Sequence, residues 1–324
     1  MRIIRESDAQ CLVGAADAFA AIEGGFADLA RGDAILFAPV AGRGTDPETR
    51  FGAKSGIDVA RRCPGIKIGS YWPANRARGL PAHGSTTLLL DDDTGFPTAL
   101  VAATHLNALR TAAADAVGVH HLARADAHVL AIIGAGHQAW FDLVAIRRIR
   151  PIREIRIWNR TTAAAERFAA RVRGSGLAAR ATDIRSAVQD ADIVVTATAA
   201  REPLLRNGWI APGTHISAMG ADGPGKQELD PALVAAASRF ADLPAQAAVM
   251  GECQHAVAAG LVDAESITAI GAVIDGKAAG RVHREAITLF DSSGIAIQDL
   301  AIARLAVERA RAIGLGLSVD FAPR

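Results

Sequence analysis

Three sets of residues in this sequence have types and spacings suited to chemistry. The first is Gly134-Ala135-Gly136-His137-Gln138-Ala139, between the apolar run "HVLAIIG" and the helix-like "HQAWFDLVAIRRI". Its pattern is G-x-G-x-x-A. The first glycine permits a tight turn, the second lets the backbone approach a pyrophosphate, and the small last residue lets helix and strand pack closely. The N-terminus of the helix then faces the phosphates. The second is Asp222, alone with Lys226 in "GADGPGK", a stretch too rich in Gly and Pro for a helix or strand interior. It reads either as an ordinary Asp-Gly turn or as an acid-base group held at the mouth of a sheet. The third is a scatter of cations. Arg110 lies in an Ala-rich helix, as a surface residue or as a fork for a carboxylate. Lys67 lies in the β-like "GIKIGSY", on either face. Lys54, Arg76 and His83 occupy wet loops, or face a pocket and favour a second substrate carboxylate.

The end of the strand after the glycine loop bears on cofactor choice. An NAD site usually has Asp or Glu there for the ribose 2′-hydroxyl. This chain has Trp158-Asn159-Arg160-Thr161. Arg160 suits a 2′-phosphate and Thr161 can donate to it, which favours NADP over NAD.

These residues need elements to position them. Residues 8–31 read as one amphipathic helix with Leu12, Phe19, Ile22, Phe26 and Leu29 on its apolar stripe. Residues 35–102 alternate short β-like runs with Gly, Pro, Asn and Asp turns, a mostly antiparallel unit. A long helix is predicted over 104–124. From "HVLAIIG" the rhythm becomes strand, helix, strand, and predicts a parallel, doubly wound sheet. "DPALVAAASRF" reads as a helix capped by Asp230 with Pro231 at its first position. The last helix, from "GIAIQDL" on, is placed back in the first domain. The expected division is 1–119 with 300–324 for a strand-rich α+β substrate and dimerisation domain, and 120–299 for a Rossmann-type NAD(P) domain.

Composition narrows the function class. The 324 residues are 50% hydrophobic and 21% charged with a net charge of +1, so no electrostatic case exists for nucleic acid or an acidic membrane. The three cysteines, Cys11, Cys63 and Cys253, have neither metal nor disulfide spacing and fit a reducing cytosol. No run approaches the ~18 apolar residues of a membrane span. A cytoplasmic protein with no metal centre is expected.

Taken together, "GIKIGSYWPAN", "ALRTAAADAVGVHHLAR", "IIGAGHQA", "IWNRT", "GTHISAMGADGPGKQELD" and "FDSSGIAIQDL" make the chain similar to the ornithine cyclodeaminase/μ-crystallin family, in collinear order. The resemblance implies a Rossmann domain, a discontinuous substrate domain that dimerises, and a nicotinamide cofactor. It implies reduction of α-imino acids, with amino-acid cyclodeamination or non-catalytic NADPH-dependent binding as the family's other activities. It implies Lys67 and Arg110 at the substrate α-carboxylate, and Asp222, with Lys67, as the catalytic residues. Gly134, Ala135, Gly136, His137, Gln138 and Ala139 should line the pyrophosphate. Asn159, Arg160 and Thr161 should meet the adenosine ribose. Thr111, Thr196, Ala197, Thr198, Ser217, Met219, Ser293 and Gly294 complete the expected cofactor set. The family's cyclodeaminases carry an acidic residue before the substrate lysine; here "TRFGAKSGID" has Lys54 instead. That departure argues against cyclodeamination, and Lys54, Arg76 and His83, if they face the pocket, point to a small acidic imine such as iminosuccinate.

Overall fold

The computed structural model describes residues 1–321; the last three residues of the expected 300–324 segment lie outside the described residues. The chain divides into two compact units, Met1–Arg110 with the described residues from Ile295 onward, and Thr111–Gly294.

The first unit contains β1 (Arg2–Ile4), α1 (Glu6–Leu12), α2 (Ala15–Arg31), β2 (Ala34–Leu36), β3 (Val40–Gly42), β4 (Arg50–Asp58), β5 (Cys63–Tyr71), β6 (His83–Leu90) and β7 (Pro97–Ala102). Helix α3 (Thr104–Leu122) starts here and continues into the second unit. The sheet order runs β18-β1-β7-β6-β5-β4-β2, with β3 on β4 and β18 (Leu317–Ser318) at the far edge. All pairings are antiparallel except β1 with β7. Along β6 the buried residues are Ser85, Thr87 and Leu89, one face of the pleat. Helix α11 (Ala296–Ala312) packs on β4, β5 and β6 and against α2. At Gly65 a Cβ would lie 2.7 Å from Leu300 Cδ2, so glycine lets α11 lie close over β5.

The second unit contains β8 (Val129–Ile133), α4 (His137–Ile146), β9 (Glu154–Trp158), α5 (Thr162–Gly174), β10 (Ala178–Ala181), α6 (Ile184–Val188), β11 (Ile193–Thr196), β12 (Arg201–Leu205), β13 (His215–Ala218), β14 (Gln227–Leu229), α7 (Pro231–Ala236), β15 (Ser238–Ala241), α8 (Pro244–Met250), α9 (Gln254–Ala258), β16 (Thr268–Ala269), α10 (Ile270–Ile274) and β17 (Thr288–Asp291). Its main sheet is parallel throughout, in the order β10-β9-β8-β11-β13-β17-β15-β16. Alternate residues of β8 enter two cores. Leu130 and Ile132 join Leu143, Ile146 and Phe168, whereas Val129, Ala131 and Ile133 join Val188, Leu229 and Leu233. Both faces of the sheet are therefore covered, as the run without polar alternation requires. The fold is a Rossmann-type doubly wound sheet with a discontinuous strand-rich unit beside it in the chain.

Two sequence expectations are corrected. The single helix over 8–31 is two helices, because Val13 and Gly14 are extended and Asp17 accepts the Gly14 N–H to start the second. The helix begun at Asp230 is capped as expected, by the Asp230 side chain on the Ala232 N–H, but it stops at Ala236. Ser238–Ala241 instead pairs with Thr288–Asp291 as β15 on β17, where the sheet buries Phe240.

Candidate active site

The cations of the first unit converge from three elements. Lys67 on β5 is buried, and its Nζ donates to Asn107 Oδ1 at 2.9 Å and lies 3.6 Å from Asp299 Oδ1. Arg110 on α3 is buried as well. Its Nη2 donates to Asn107 Oδ1 at 2.8 Å, its Nη1 to Gln298 Oε1 at 2.7 Å, and its Nε lies 3.1 Å from Asp299 Oδ1. A buried cation needs a counter-charge, and Asp299 supplies one to both. Burial pushes the Asp299 carboxyl upward, but Lys67, Arg110 and Lys54 overcome it and hold it below the ordinary carboxylate range. Lys54 stands directly opposite Lys67 in the β4–β5 ladder, so both side chains leave the same face of the sheet. Arg76, in a short 3-10 turn, and His83, at the start of β6, are exposed.

In the second unit, the expected cofactor residues other than Thr111 stand at or just after the C-terminal ends of the parallel strands. Gly134 follows β8 at φ +111, a conformation that needs glycine, and its N–H donates to Trp158 O at 2.8 Å. A Cβ there would lie 2.7 Å from Ala197 O. Gly136 caps α4 with open space where a Cβ would stand. A ten-residue helix whose first N–H groups face that space suits a phosphate. Asn159 Oδ1 accepts the Ala135 N–H at 3.1 Å, and Asn159 Nδ2 donates to Thr161 O at 3.2 Å, so Asn159 fastens the glycine loop to the next strand end. Beside it a cavity of about 400 Å3 is lined by Trp158, Asn159, Thr162, Glu166, Thr182 and Asp183 among others. Glycine cradle, helix terminus and cavity together fit a dinucleotide.

His137, Gln138 and Ala139 form the first turn of α4, with Ala139 fully buried against the sheet. Gln138 Nε2 donates to Asp142 Oδ1 at 2.7 Å. Asp142 and Asp115 are both buried; burial pushes Asp115 up to about 7, and burial with the Asp115 charge pushes Asp142 well above the usual carboxylate range. Thr196 Oγ1 donates to Glu228 Oε2 at 2.7 Å and the Thr198 N–H to Glu228 Oε1 at 2.7 Å. Ser217 Oγ lies 3.2 Å from His215 Nε2 on β13, and Met219 follows, buried. Ser293 Oγ accepts from Gln246 Nε2 at 2.8 Å, and the Gly294 N–H donates to Asp242 Oδ2 at 2.7 Å. Thr111 lies on α3.

The loop of Asp222 follows β13 and is held from several sides. The Gly220 N–H donates to Glu228 Oε2 at 3.1 Å, and the Gly225 N–H to Gln254 Oε1 at 2.8 Å. Lys226 Nζ donates to Gly220 O at 3.1 Å and pairs with Asp222 Oδ1. The Asp222 side chain is 58% exposed, so the loop presents an ion-paired carboxylate to the solvent side of the strand ends. Burial raises Glu228 against its hydrogen bonds, and burial with the Glu228 charge raises Glu252 well above the usual range.

The model of the ornithine cyclodeaminase/mu-crystallin family matches residues 3–314. The chain belongs to this family. Within it, the chain is 40% identical over 321 residues to the iminosuccinate reductase of Paracoccus denitrificans, covering 99% of this chain and 100% of that one. The crystal structure of that reductase in complex with NAD+ superposes with a TM-score of 0.94 at 40% identity, covering 99% of each chain. An archaeal alanine dehydrogenase, a dimer with bound NAD, gives a TM-score of 0.94 at 34% identity, covering 99% of each. The Thermococcus litoralis Δ1-pyrroline-2-carboxylate reductase, in complex with NADH and L-proline, gives 0.93 at 30% identity, covering 98% of this chain and all of that one.

The sequence reading missed Asn107, Gln298 and Asp299 as partners of the cations, and Glu228, Glu252, Gln254 and Asp142 behind the cofactor residues. Gln298 and Asp299 lie in "GIAIQDL", a quoted family segment that carried the signal. Glu228 lies in another quoted family segment, "GTHISAMGADGPGKQELD", but its partners Thr196 and Thr198 lie 32 and 30 residues away, outside it.

Proposed function

We propose that the protein reduces a small α-imino acid to the amino acid with NAD(P)H, and that this imino acid carries a second carboxylate, as iminosuccinate does. The observation that carries the reading is the cluster of Lys54, Lys67 and Arg110. Two lysines on directly opposite strand positions repel, and an anionic ligand relieves that repulsion. Lys67 and Arg110 bind the α-carboxylate, and Lys54 takes the second. A cation at Lys54 disfavours the distal ammonium that a cyclodeaminase must hold. The 40% identity to an iminosuccinate reductase supports the same substrate class.

A carbon-nitrogen double bond accepts hydride readily when its nitrogen is protonated. In this reading the Asp222 carboxyl gives its proton to the imine nitrogen, and the π electrons of C=N become the amine lone pair as the carbon is reduced. Reduced nicotinamide, when bound, supplies the hydride. Asp222 is left as a carboxylate facing Lys226, and its exposure supports reloading from water. The 134–139 turn holds the pyrophosphate. At the adenosine end Arg160 and Thr161 favour NADP, while Glu166 and Asp183, which line the cavity beside Asn159, favour NAD; titration of NADH and NADPH reads the balance. We propose further that the protein works in the cytoplasm as a homodimer.

The test is cofactor oxidation with oxaloacetate plus ammonia, against pyruvate plus ammonia and cyclic imines. The dicarboxylate pair should be turned over best, and Lys54→Met should raise its KM at least about tenfold with little change for pyruvate plus ammonia. Faster turnover of a cyclic or monocarboxylate imine with none on oxaloacetate plus ammonia would overturn the substrate assignment. Ammonia release from an amino acid without net cofactor change would overturn the reaction type.

A further inference from the structure

Glu228, on β14, is fully buried and meets the start of the Asp222 loop. Its own backbone is fixed. Strand β14 pairs with β12, and Glu252 Oε1 accepts the Glu228 and Leu229 N–H groups at 2.9 and 2.6 Å. The side chain then reaches two strand ends. Oε1 accepts the Thr198 N–H at 2.7 Å, just past β11. Oε2 accepts the Thr196 hydroxyl at 2.7 Å and the Gly220 N–H at 3.1 Å, just past β13. Thr198 stands between the glycine turn and the acid loop. A Cβ on Gly134 would lie 2.9 Å from Thr198 Cγ2, and a Cβ on Gly220 would lie 2.5 Å from Thr198 O. The same Cβ on Gly220 would lie 2.5 Å from Glu228 Oε2. Gly220 is not in the left-handed region, so what it supplies is space: its missing side chain brings this backbone down onto the carboxylate.

We propose that Glu228 is a positioning residue, which ties the start of the Asp222 loop to the Thr196–Thr198 strand end and so sets where the acid stands relative to the cofactor. The inference rests on the reading of Asp222 as the proton donor. Glutamine at this position keeps the shape but has one acceptor oxygen. Its amide nitrogen then faces either the Thr198 N–H or the Gly220 N–H, and the segment so faced is released. The glycine turn keeps bonds of its own. The Gly134 N–H donates to Trp158 O, the Ala135 N–H to Asn159 Oδ1 and the Ala197 N–H to Ile133 O, at 2.8, 3.1 and 2.9 Å. The loss therefore falls on proton transfer, where a misplacement of about 1 Å can cost on the order of a hundredfold, and spares cofactor binding.

The experiment compares wild type, Glu228→Gln, Gly220→Ala and Asp222→Asn, with Glu228→Gln also placed in each of the other two variants. With oxaloacetate plus ammonia at saturating cofactor, Glu228→Gln should lower the single-turnover rate at least about tenfold and change the NADH Kd less than about threefold. An unchanged rate, or equal losses of rate and of NADH affinity, would overturn the proposal. Gly220→Ala wedges the same contact from the other side and should show the same split. In that background Glu228→Gln should cost less than about threefold more, because both act through one contact; losses that multiply in full overturn it. In an Asp222→Asn background that is itself slowed, Glu228→Gln should likewise add less than about threefold. Amide hydrogen exchange gives a readout without turnover. In Glu228→Gln it should quicken at least about tenfold at Thr198 or Gly220, whichever faces the amide, with Val129–Ile133 unchanged. Uniform quickening, or none, overturns the proposal. Should Glu228→Gln not fold, Gly220→Ala carries the test: a slowed rate with NADH Kd kept supports the proposal, and an unchanged rate overturns it. An Asp222→Asn variant as fast as wild type would defeat the acid reading alone, and the local exchange then decides the positioning role by itself.

Discussion

At Gly134 the backbone takes φ +111 within van der Waals reach of Ala197. Alanine there combines a disfavoured conformation with a Cβ 2.7 Å from the Ala197 carbonyl. Gly134→Ala should cost about 1–3 kcal/mol of stability and weaken NADH binding at least about tenfold. Equilibrium unfolding and fluorescence titration check both, and an unaltered titration would remove the glycine from the cradle. This residue was legible because its meaning is local: strand, glycine, helix. Lys67 and Arg110 were nominated through the family resemblance, since an isolated cation in a strand or helix has no signature of burial. Asp299 was not nominated. Its partner Arg110, on α3, lies 189 positions earlier, and only the tertiary fold joins them.

Elements with a strong single period were read well. The buried strand Val129–Ile133 and the ten-residue helix after it follow from an unbroken apolar run and a glycine turn. Breaks decided by pairing were not. Nothing local in "SRFAD" announces a strand, because its partner, Thr288–Asp291, lies 50 residues on in register. That partner strand ends in Asp291, fully buried, with Oδ2 accepting the Cys253 N–H at 2.9 Å and burial pushing its pKa up to about 7. A carboxyl raised in the folded state stabilises it below the unfolded pKa and loses that contribution as pH climbs to the folded value. For Asp291 the window runs from about pH 4 to about 7. Asp115, also at about 7, acts in the same sense, while His215, held neutral by burial, acts oppositely as pH falls. Asp291→Asn mimics the neutral acid. Its stability relative to wild type should therefore rise across this window and level off above it, as measured by denaturant unfolding at several pH values. A difference independent of pH would contradict the assignment.

At the scale of the whole molecule, the strand-rich unit has one helix-covered face and one apolar face without such cover. Ile35, Val40, Phe51 and Ile68 are 48%, 70%, 48% and 49% exposed. Their register puts them all on the side opposite Lys54 and Lys67. Apolar patches of this kind mark protein interfaces, and a second copy of the chain is the proposed occupant. Ile68→Asp should weaken the dimer at least about a hundredfold, read by light scattering across a concentration series, since a carboxylate would be buried in the seam. A dimer of undiminished affinity would place the interface elsewhere. Composition and net charge excluded nucleic acid and acidic membranes as expected partners but said nothing of this face, because its apolar residues are dispersed over four strands.

We propose that the chain reduces a protonated dicarboxylate imine with Asp222 as the proton donor. The measurement that tests it most directly is the single-turnover rate of cofactor oxidation with oxaloacetate plus ammonia, for wild type and Asp222→Asn, with the cofactor affinity of both determined alongside. Wild type should turn over, and Asp222→Asn should lose at least about a hundredfold at unchanged cofactor affinity. Equal rates in the two proteins would contradict it.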